Sequence, residues 1–184
     1  TAEINVAATY IRDQFISVGL KPMADNGFQW FDIVTDVSLG AKNSLNFDGF
    51  EATIKKEYIP LSFSSNATLD ADVVFAGYGF DIDTDSLVWN DYKGMEVKGK
   101  WVMVLRADPD LDNSDSKFIP FSDIRSKILT AKDKGAAGVL LITPKGVEKD
   151  DKLMQLVVEN NEVTAGIPIL NITRELANKI LKQS

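Results

Sequence analysis

The chain has 184 residues, with 20 basic and 27 acidic side chains, a net charge of −7, and neither His nor Cys. Its length corresponds to one domain, or to one domain and part of another, and 45% apolar residues suffice for an ordinary buried core. The acidic balance argues against nucleic acid as a partner, because binding requires Lys and Arg at the phosphates. No apolar run reaches the roughly 18 residues of a membrane span.

The absence of His and Cys restricts the chemistry. Without them the chain cannot build a Ser–His or Cys–His nucleophile pair, or a zinc cage of His and Cys. A small hydrolase that depends on carboxylates remains a class to consider, but no pair of the 27 acidic residues is marked by a surrounding motif. The residues alone therefore leave carboxylate, Lys or Tyr chemistry open, or no chemistry at all.

An amphipathic helix is predicted at the start of the chain. Apolar residues recur there every three or four positions and share one face, and Gly19 and Pro22 then end the helix. Because this pattern begins at Thr1, we expect no signal peptide within the chain. Aromatic and branched residues predict a strand over residues 28–34. The apolar face of the helix is formed by Ile4, Ala7, Ala8, Ile11, Phe15 and Val18.

Weak alternation over residues 46–59 predicts one exposed strand, with a second before it left open. After Pro60, four short apolar runs have the length of buried strands: residues 73–76, 101–105, 138–142 and 167–172.

Helices are predicted between and after these strands. One spans about residues 122–134, with Ile124, Ile128 and Ala131 facing inward, so that the strands on either side of it are parallel neighbours. Others are predicted near residues 150–158 and from Thr173, a suitable N-cap, onward. We expect the chain to end in or just after this last helix. The fold class is therefore mixed α/β (α+β).

Two acidic runs, which begin at Asp81 and Asp108, place carboxylates at alternate positions like an EF-hand loop. That loop requires Gly at its sixth position and Glu at its twelfth, and both runs lack them. We therefore interpret these residues as solvated acids that form turns, and not as a calcium site. The substituted positions are Ser86 and Tyr92 in the first run, and Asn113 and Ile119 in the second.

Trp89 and Tyr92 occur together in a polar segment. Two interpretations stay open. The rings could pin the segment to its own domain, which is the plainer explanation and the favoured one. They could also form a contact surface, since Trp and Tyr anchor interfaces.

Several motifs resemble the central signature of the PA (protease-associated) domain, and in that domain they occur in this order. Gly135 ends a helix there, Gly138 begins a closely packed strand, and Pro168 opens an edge strand. The sequence departs from the usual pattern at Ala107, where Gly often follows the Arg, and at Thr143, where Asn is frequent. The matching stretches are Tyr78-Gly79-Phe80, residues 90–106, Lys127, Ala131, residues 134–140 and Ile167-Pro168-Ile169.

The first residues resemble the opening helix and strand of the di-zinc aminopeptidases, the family of glutamate carboxypeptidase and the transferrin receptor. Many bacterial members insert a PA domain between this opening and the metal-binding part. The resemblance divides the chain into residues 1–34, the opening of a truncated peptidase domain, residues 35–60, connecting strands, and residues 61–184, the PA domain. The stretches that carry it are Ala7-Ala8, Tyr10-Ile11, Gln14-Phe15, residues 19–22, Phe28-Gln29 and residues 60–64.

The resemblance implies a fold and a role. The fold is a swivelling β/β/α domain with a β-sandwich or open-barrel core and flanking helices, plus the N-terminal helix and strand. In the family, two zinc ions are bound by His and carboxylates, and a Glu acts as general base, in a part that follows the PA domain. No catalytic or metal-binding residue transfers to this chain, so it is expected to be non-catalytic and to bind no cofactor itself.

The expected role is that of a lid or rim in a secreted zinc aminopeptidase. Such a rim controls the access of peptide substrates or contacts other proteins, and its first partner is its own peptidase domain. The location implied is secreted, periplasmic or at the cell surface. We place the rim in two segments that are expected to be loops, residues 81–94 and 107–121. The candidate contact residues are Tyr78, Trp89, Tyr92, Arg106 and Phe118.

The alternative is a free-standing protein-binding module with no attached peptidase. The N-terminal helix separates the two hypotheses, because a lone PA domain does not need an amphipathic helix whose apolar face requires another core. In a fragment, Ile11, Phe15 and Val18 are expected to lack their natural partner.

Overall fold

The computed structural model of the protein describes residues 2–23, 25–31, 35–111, 113–158 and 164–182. The chain divides into two compact units, Thr1–Val34 and Thr35–Ser184. In the described residues no helix is both long and apolar enough to cross a membrane.

The first unit contains the predicted helix, α1, over Ala2–Ser17, followed by a short 3-10 turn at Asp25–Gly27. Gly19 adopts a left-handed φ of 87°. The Gly19 N–H donates to the Ile16 carbonyl and the Leu20 N–H to the Phe15 carbonyl, which is the Schellman arrangement that ends many helices. The apolar face of α1 is largely exposed, with Phe15 at 56%.

The predicted strand over residues 28–34 is wrong for its described part, because Phe28, Gln29, Trp30 and Phe31 lie in no strand. Aromatic residues favour a strand only where a neighbouring strand and a packed face receive them. In the described residues no strand pairs with this segment. No packed face covers its rings either, since Trp30 and Phe31 are 71% and 76% exposed. Residues 32–34 lie outside the described part.

The second unit is built on a five-stranded sheet with the order β3-β9-β8-β7-β4. Strands β4, β7, β8 and β9 are parallel, and β3 joins the far side of β9 in the antiparallel direction. The strands are β3 Tyr58–Pro60, β4 Val73–Phe75, β7 Trp101–Leu105, β8 Gly138–Ile142 and β9 Ile169–Ile172.

Two hairpins and two helices complete this unit. The hairpins pair β1 with β2 and β5 with β6, and the helices α2 and α3 follow β7 and β9 along the chain. These elements confirm the predicted mixed α/β fold class. Their bounds are β1 Asn46–Phe47, β2 Phe50–Glu51, β5 Asp81–Thr84, β6 Leu87–Asn90, α2 Ile124–Asp133 and α3 Arg174–Leu181.

The two helices cover opposite faces of the sheet. Val102 and Val104 of β7 belong to one buried cluster with Ile128 of α2. Met103, on the other face of the same strand, belongs to a second cluster with Leu176 of α3. This alternation follows from the two-residue period of a strand and explains why β7 and β8 read as continuous apolar runs.

Side chains fix where these helices begin, as the sequence predicted for α3. The Asp123 carboxylate accepts the Ser126 N–H at the start of α2, and the Thr173 hydroxyl accepts the Leu176 N–H at the start of α3.

The structure corrects the prediction for residues 46–59. The region contains the short β1–β2 hairpin and then β3, instead of one long strand.

The helix predicted near residues 150–158 is also wrong, because this segment forms no regular secondary structure. Asp151 has a left-handed φ of 58°, which a regular helix does not contain. The Met154 N–H donates to the Asn171 side chain instead of to a carbonyl one turn earlier. The Asp151 carboxylate accepts the backbone N–H of Arg174, so long-range contacts replace the helical hydrogen bonds.

Strand β9 was predicted as an edge strand, and this is wrong as well, since β3 and β8 flank it on both sides. Pro168 is accommodated because it precedes the first residue of β9, where its carbonyl accepts the Val139 N–H.

Gly138 provides a test of the packing. A Cβ at this position would lie 2.5 Å from ring carbons of Trp101 and 3.0 Å from Leu69. We expect Gly138→Ala to lower the free energy of unfolding by about 1–3 kcal/mol through overpacking. The midpoint and slope of urea unfolding measure this change.

Gly40→Ala is the matched control, because neither glycine has a left-handed backbone and the nearest atom to a Cβ at Gly40 is 3.8 Å away. We expect a change of less than about 0.5 kcal/mol there. Equal unfolding midpoints for the two variants would contradict the tight packing of β8 on β7.

Candidate functional site: an aromatic surface at the carboxyl ends of the parallel strands

The turn after β4 is organised by one carboxylate, that of Asp91. Its Oδ2 accepts the backbone N–H groups of Tyr78, at 3.1 Å, and Phe80, at 3.0 Å. Its Oδ1 accepts the indole N–H of Trp89 at 2.9 Å. Gly77 and Gly79 have left-handed φ values in this turn, a conformation that glycine adopts without steric cost. Asp91 therefore joins the end of β4 to the β5–β6 hairpin.

Four aromatic rings stack beside this turn. The ring centroids of Tyr78 and Phe80 are 5.9 Å apart, and Phe80 and Phe118 are stacked at 5.5 Å. Trp89 meets Phe118 edge-on at 5.2 Å. Tyr78 and Phe118 are half-buried and Trp89 is 36% exposed, so part of the stack faces solvent. We call these four residues the aromatic surface.

The aromatic surface brings together the two segments in which the sequence analysis placed the rim. Phe118 of the second segment contacts the rings of Phe80 and Trp89, and Lys117 donates to the carbonyl of Ser86 at 3.1 Å. Residues 81–94 were expected to be a loop, but they form the β5–β6 hairpin and the turn after it. The pairing of Ile82, whose side chain is buried, with Trp89 across the hairpin explains this difference.

Lys127 lies beneath the aromatic surface and is only 1% exposed. Its Nζ is 4.3 Å from the ring centroid of Phe80 and 5.3 Å from that of Tyr78. The ammonium donates to the carbonyl of Leu105, at 3.0 Å, and also to that of Ala107. A buried lysine is thus bound by carbonyl dipoles and ring faces instead of a direct ion pair.

Burial lowers the pKa of Lys127 to about 8, against the attraction of the Asp108 and Asp91 carboxylates, which raises it. Desolvation is the largest effect, since the charged form loses its hydration in this position.

The other candidate residues lie in different surroundings. Tyr92 is 5% exposed, its hydroxyl makes no hydrogen bond within the described part of the chain, and burial raises its pKa. It packs in the core and offers no accessible contact. Arg106 follows β7 and donates to the Thr143 hydroxyl at 3.1 Å. The structure thus brings Tyr78, Trp89 and Phe118 together and leaves Tyr92 and Arg106 outside the stack.

The two acidic runs make internal contacts. The Asp108 carboxylate accepts the Asp110 N–H at 2.8 Å and the Ser122 hydroxyl at 2.9 Å. Asp81 lies in β5, accepts the Asn90 amide and pairs with Lys134. Over the described ranges, no group of three or more acidic residues is placed to hold a metal ion. The donor set of a zinc site is also missing from the sequence, which has neither His nor Cys.

The sequence analysis did not assign Lys127, Asp91 or Phe80 to the site. For Lys127 a signal existed, because it lies on the same face of α2 as Ile124, Ile128 and Ala131. A Lys on an inward helical face predicts a buried cation that needs partners. For Asp91 no such signal exists, since its three donors come together only in the folded chain.

The chain is similar to one protein family and to several solved structures. The PA domain family matches residues 69–180. Among solved structures, the zinc aminopeptidase BSAP from Bacillus subtilis matches with a TM-score of 0.48 and 18% identity, over 77% of this chain and 28% of that one. The aminopeptidase from Aneurinibacillus sp. strain AM-1 matches with a TM-score of 0.49 and 16% identity, over 100% of this chain and 36% of that one. The chain thus spans 28% of the length of the first protein and 36% of the second. A search of curated proteins returned no match.

The buried ammonium predicts a pH dependence of stability. Between the native pKa of about 8 and the ordinary value of 10.5, the unfolded chain binds a proton at Lys127 that the native chain does not. The free energy of unfolding therefore rises with pH in this window, by about 1–2 kcal/mol between pH 7.5 and 9.5. Below pH 8 the cost of burying the charge is present in full.

Lys127→Met keeps the apolar stem and removes the charge, so this rise should disappear in the variant. Urea unfolding of both proteins from pH 7.5 to 9.5 measures the difference. Burial also raises the pKa of Tyr58 and Tyr78. These two tyrosines lower the free energy of unfolding only as the pH approaches 10, so the measurements stop at pH 9.5. Parallel pH profiles for the two proteins would contradict a buried lysine with a depressed pKa.

Ala107 has a left-handed φ of 58°, at the position where the sequence departs from the glycine of the PA pattern. Ala107→Gly removes a Cβ from this strained conformation, and we expect the protein to gain up to about 1 kcal/mol of stability. Ala67→Gly is the control, because Ala67 is exposed and has no left-handed backbone. It should lose about 0.5 kcal/mol through the added freedom of the unfolded chain. Thermal unfolding of both variants tests the opposite signs.

Proposed function

Because this chain belongs to the PA domain family, we propose that it is the non-catalytic domain of a secreted zinc aminopeptidase. In this role the aromatic surface forms a rim beside the catalytic site, which controls the access of peptides or contacts another protein. A wall beside a cleft can discriminate peptides by size and apolar character without taking part in the chemistry.

The observation that carries the rim proposal is the composite aromatic surface. Two segments distant in sequence meet at Trp89 and Phe118 and present apolar rings next to solvent. The surface lies at the carboxyl ends of β4 and β7, the side of an open α/β sheet at which ligands commonly bind. Aromatic side chains on such a rigid support contribute strongly to recognition of apolar groups.

The division of the protein into parts is also a proposal. Residues 1–34 begin a peptidase domain, residues 35–60 connect, and residues 61–184 form the PA domain. The exposed Ile11 and Phe15 of α1, and Val18 directly after it, support this division, because an apolar helix face of this kind is normally covered by a core. The catalytic domain supplies the two zinc ions and the His and carboxylate ligands, and export places the enzyme outside the cytoplasm.

The first experiment reads the gene past the codon for Ser184 and expresses the protein it encodes. We expect a reading frame with a His-x-Asp motif and adjacent glutamates, and hydrolysis of leucine p-nitroanilide that a chelator abolishes and zinc restores. A stop codon soon after Ser184 would overturn the peptidase assignment and favour a free-standing binding module, to be studied by partner capture.

The second experiment tests the rim in that protein. We expect the double variant Trp89→Ala, Phe118→Ala to change kcat/KM for long peptides by about fivefold relative to leucine p-nitroanilide, because an aromatic contact is worth about 1 kcal/mol. Leu129→Ala, at an exposed apolar residue on the outer face of α2, is the control and should leave this ratio unchanged. An unchanged ratio in the double variant would contradict the proposal that the aromatic surface controls the access of peptides.

A further inference from the structure

Two arginines lie at the carboxyl edge of the sheet, and both contact Thr143. Arg106 directly follows β7, and its backbone N–H donates to the Ile142 carbonyl at 2.8 Å, which continues the pairing with β8. Its guanidinium donates to the Thr143 hydroxyl at 3.1 Å. Arg174, the first residue of α3, donates to the Thr143 carbonyl at 2.9 Å. The same residue therefore fixes the position of one nitrogen from each guanidinium.

The two guanidiniums differ in how completely they are bound. Besides Thr143, Arg174 donates to the carbonyls of Glu148 and Lys149, and its Nε lies 3.5 Å from the Asp151 carboxylate. These contacts occupy the N–H donors of the Arg174 guanidinium within the protein, and they fix the position of the segment before residue 151. Arg174 is therefore a structural residue.

Arg106 has only the neutral hydroxyl of Thr143 as a side-chain partner within the described ranges. A hydroxyl carries no net charge, so the described residues leave the positive charge of this half-buried guanidinium uncompensated. Burial lowers the pKa of Arg106, and no carboxylate of the described residues acts against this effect. By contrast, Lys134, Lys152 and Lys179 each form an ion pair with a carboxylate.

The contact with Thr143 also orients Arg106. Thr143 is 2% exposed and cannot shift freely, so the hydrogen bond to its hydroxyl fixes the plane of the guanidinium. One nitrogen is engaged, and the remaining N–H donors of this half-buried planar fork have no hydrogen-bond partner in the described part of the chain. Such a fork matches the geometry of a carboxylate, which accepts two parallel hydrogen bonds.

We propose that the Arg106 guanidinium binds the carboxylate of a peptide ligand, with Thr143 as its positioning residue. The peptide nature of the ligand rests on the proposed function, whereas the carboxylate chemistry rests on the geometry of Arg106 alone. The ligand supplies the negative charge that the described residues around Arg106 do not.

The test is an NMR titration of the 15N-labelled chain, observed at the arginine Nε–H groups. N-acetylglycine supplies a terminal carboxylate, N-acetylaspartate N-methylamide supplies a side-chain carboxylate, and N-acetylglycinamide is the neutral control. The sequence has four arginines, so Arg12, Arg125 and Arg174 are internal controls in the same spectrum. We expect saturable shifts at Arg106 with a Kd in the millimolar range, and no response to the neutral probe.

Variants separate recognition from general charge. Arg106→Lys keeps the charge and loses the fork, and we expect the carboxylate affinity, read from backbone amide shifts, to fall about tenfold. Thr143→Val should weaken binding severalfold, and Thr143→Ser should restore it. An effect through folding alone would not follow this order, and the urea midpoint of each variant checks that it is folded.

Each outcome decides the proposal. Shifts with either carboxylate probe support it, and the stronger probe identifies a chain terminus or an acidic side chain as the source. No saturable shift, equal shifts with the neutral probe, or tighter binding of inorganic phosphate would overturn it. The titration needs no peptidase domain, so its result is independent of whether the aminopeptidase assignment holds.

Discussion

The contact on which the carboxyl edge of the domain depends is that of the Lys127 ammonium with the carbonyls of Leu105 and Ala107. It attaches the N-terminal part of α2 to the last residue of β7, where the chain leaves the sheet. The rings of Phe80 and Tyr78 lie against the same ammonium, so helix, strand end and aromatic surface share one cation. A cation in this position costs desolvation energy, and the surrounding dipoles and ring faces offset it only in part, which is why the pKa of Lys127 falls.

Three basic side chains at the same edge differ in the groups that bind them. Lys127 is bound by carbonyls and rings, Arg174 by carbonyls and the Asp151 carboxylate, and Arg106 by a single hydroxyl. The first two residues stabilise the loops that leave the strands. The third is held in place, but no described residue supplies its counter-charge, and this difference separates the proposed recognition residue from the structural ones at the same edge.

The sequence predicted the parts of the fold that local patterns determine. The strands β7 and β8, with the helix α2 between them, follow from two apolar runs, a helical period and the glycines at 135 and 138. The sequence could not predict that residues 150–158 form no helix, because the groups that hold them come from Asn171 and Arg174. It also could not predict that β3 adds to β9, since this antiparallel pair joins residues more than a hundred positions apart.

For the candidate site, the sequence located the two segments but not their contacts. Trp89 and Phe118 stood out as aromatic residues in polar surroundings, and the structure brings them to 5.2 Å. Tyr92 carried the same signal and is buried, because composition alone does not distinguish a ring that faces solvent from one that faces the core.

The Asp91 carboxylate has a consequence for exchanging parts between related domains. A Cβ at Gly77 would lie 2.8 Å from Asp91 Oδ1, so the carboxylate fits only beside a glycine. The three donors that it accepts come from Tyr78 and Phe80, before the hairpin, and from Trp89, in its second strand. The β5–β6 hairpin is therefore not a portable module by itself. A grafted hairpin retains its shape when residues 77–91 are transferred as one block, whereas a transplant of residues 81–90 alone separates the indole from the acceptor that holds it.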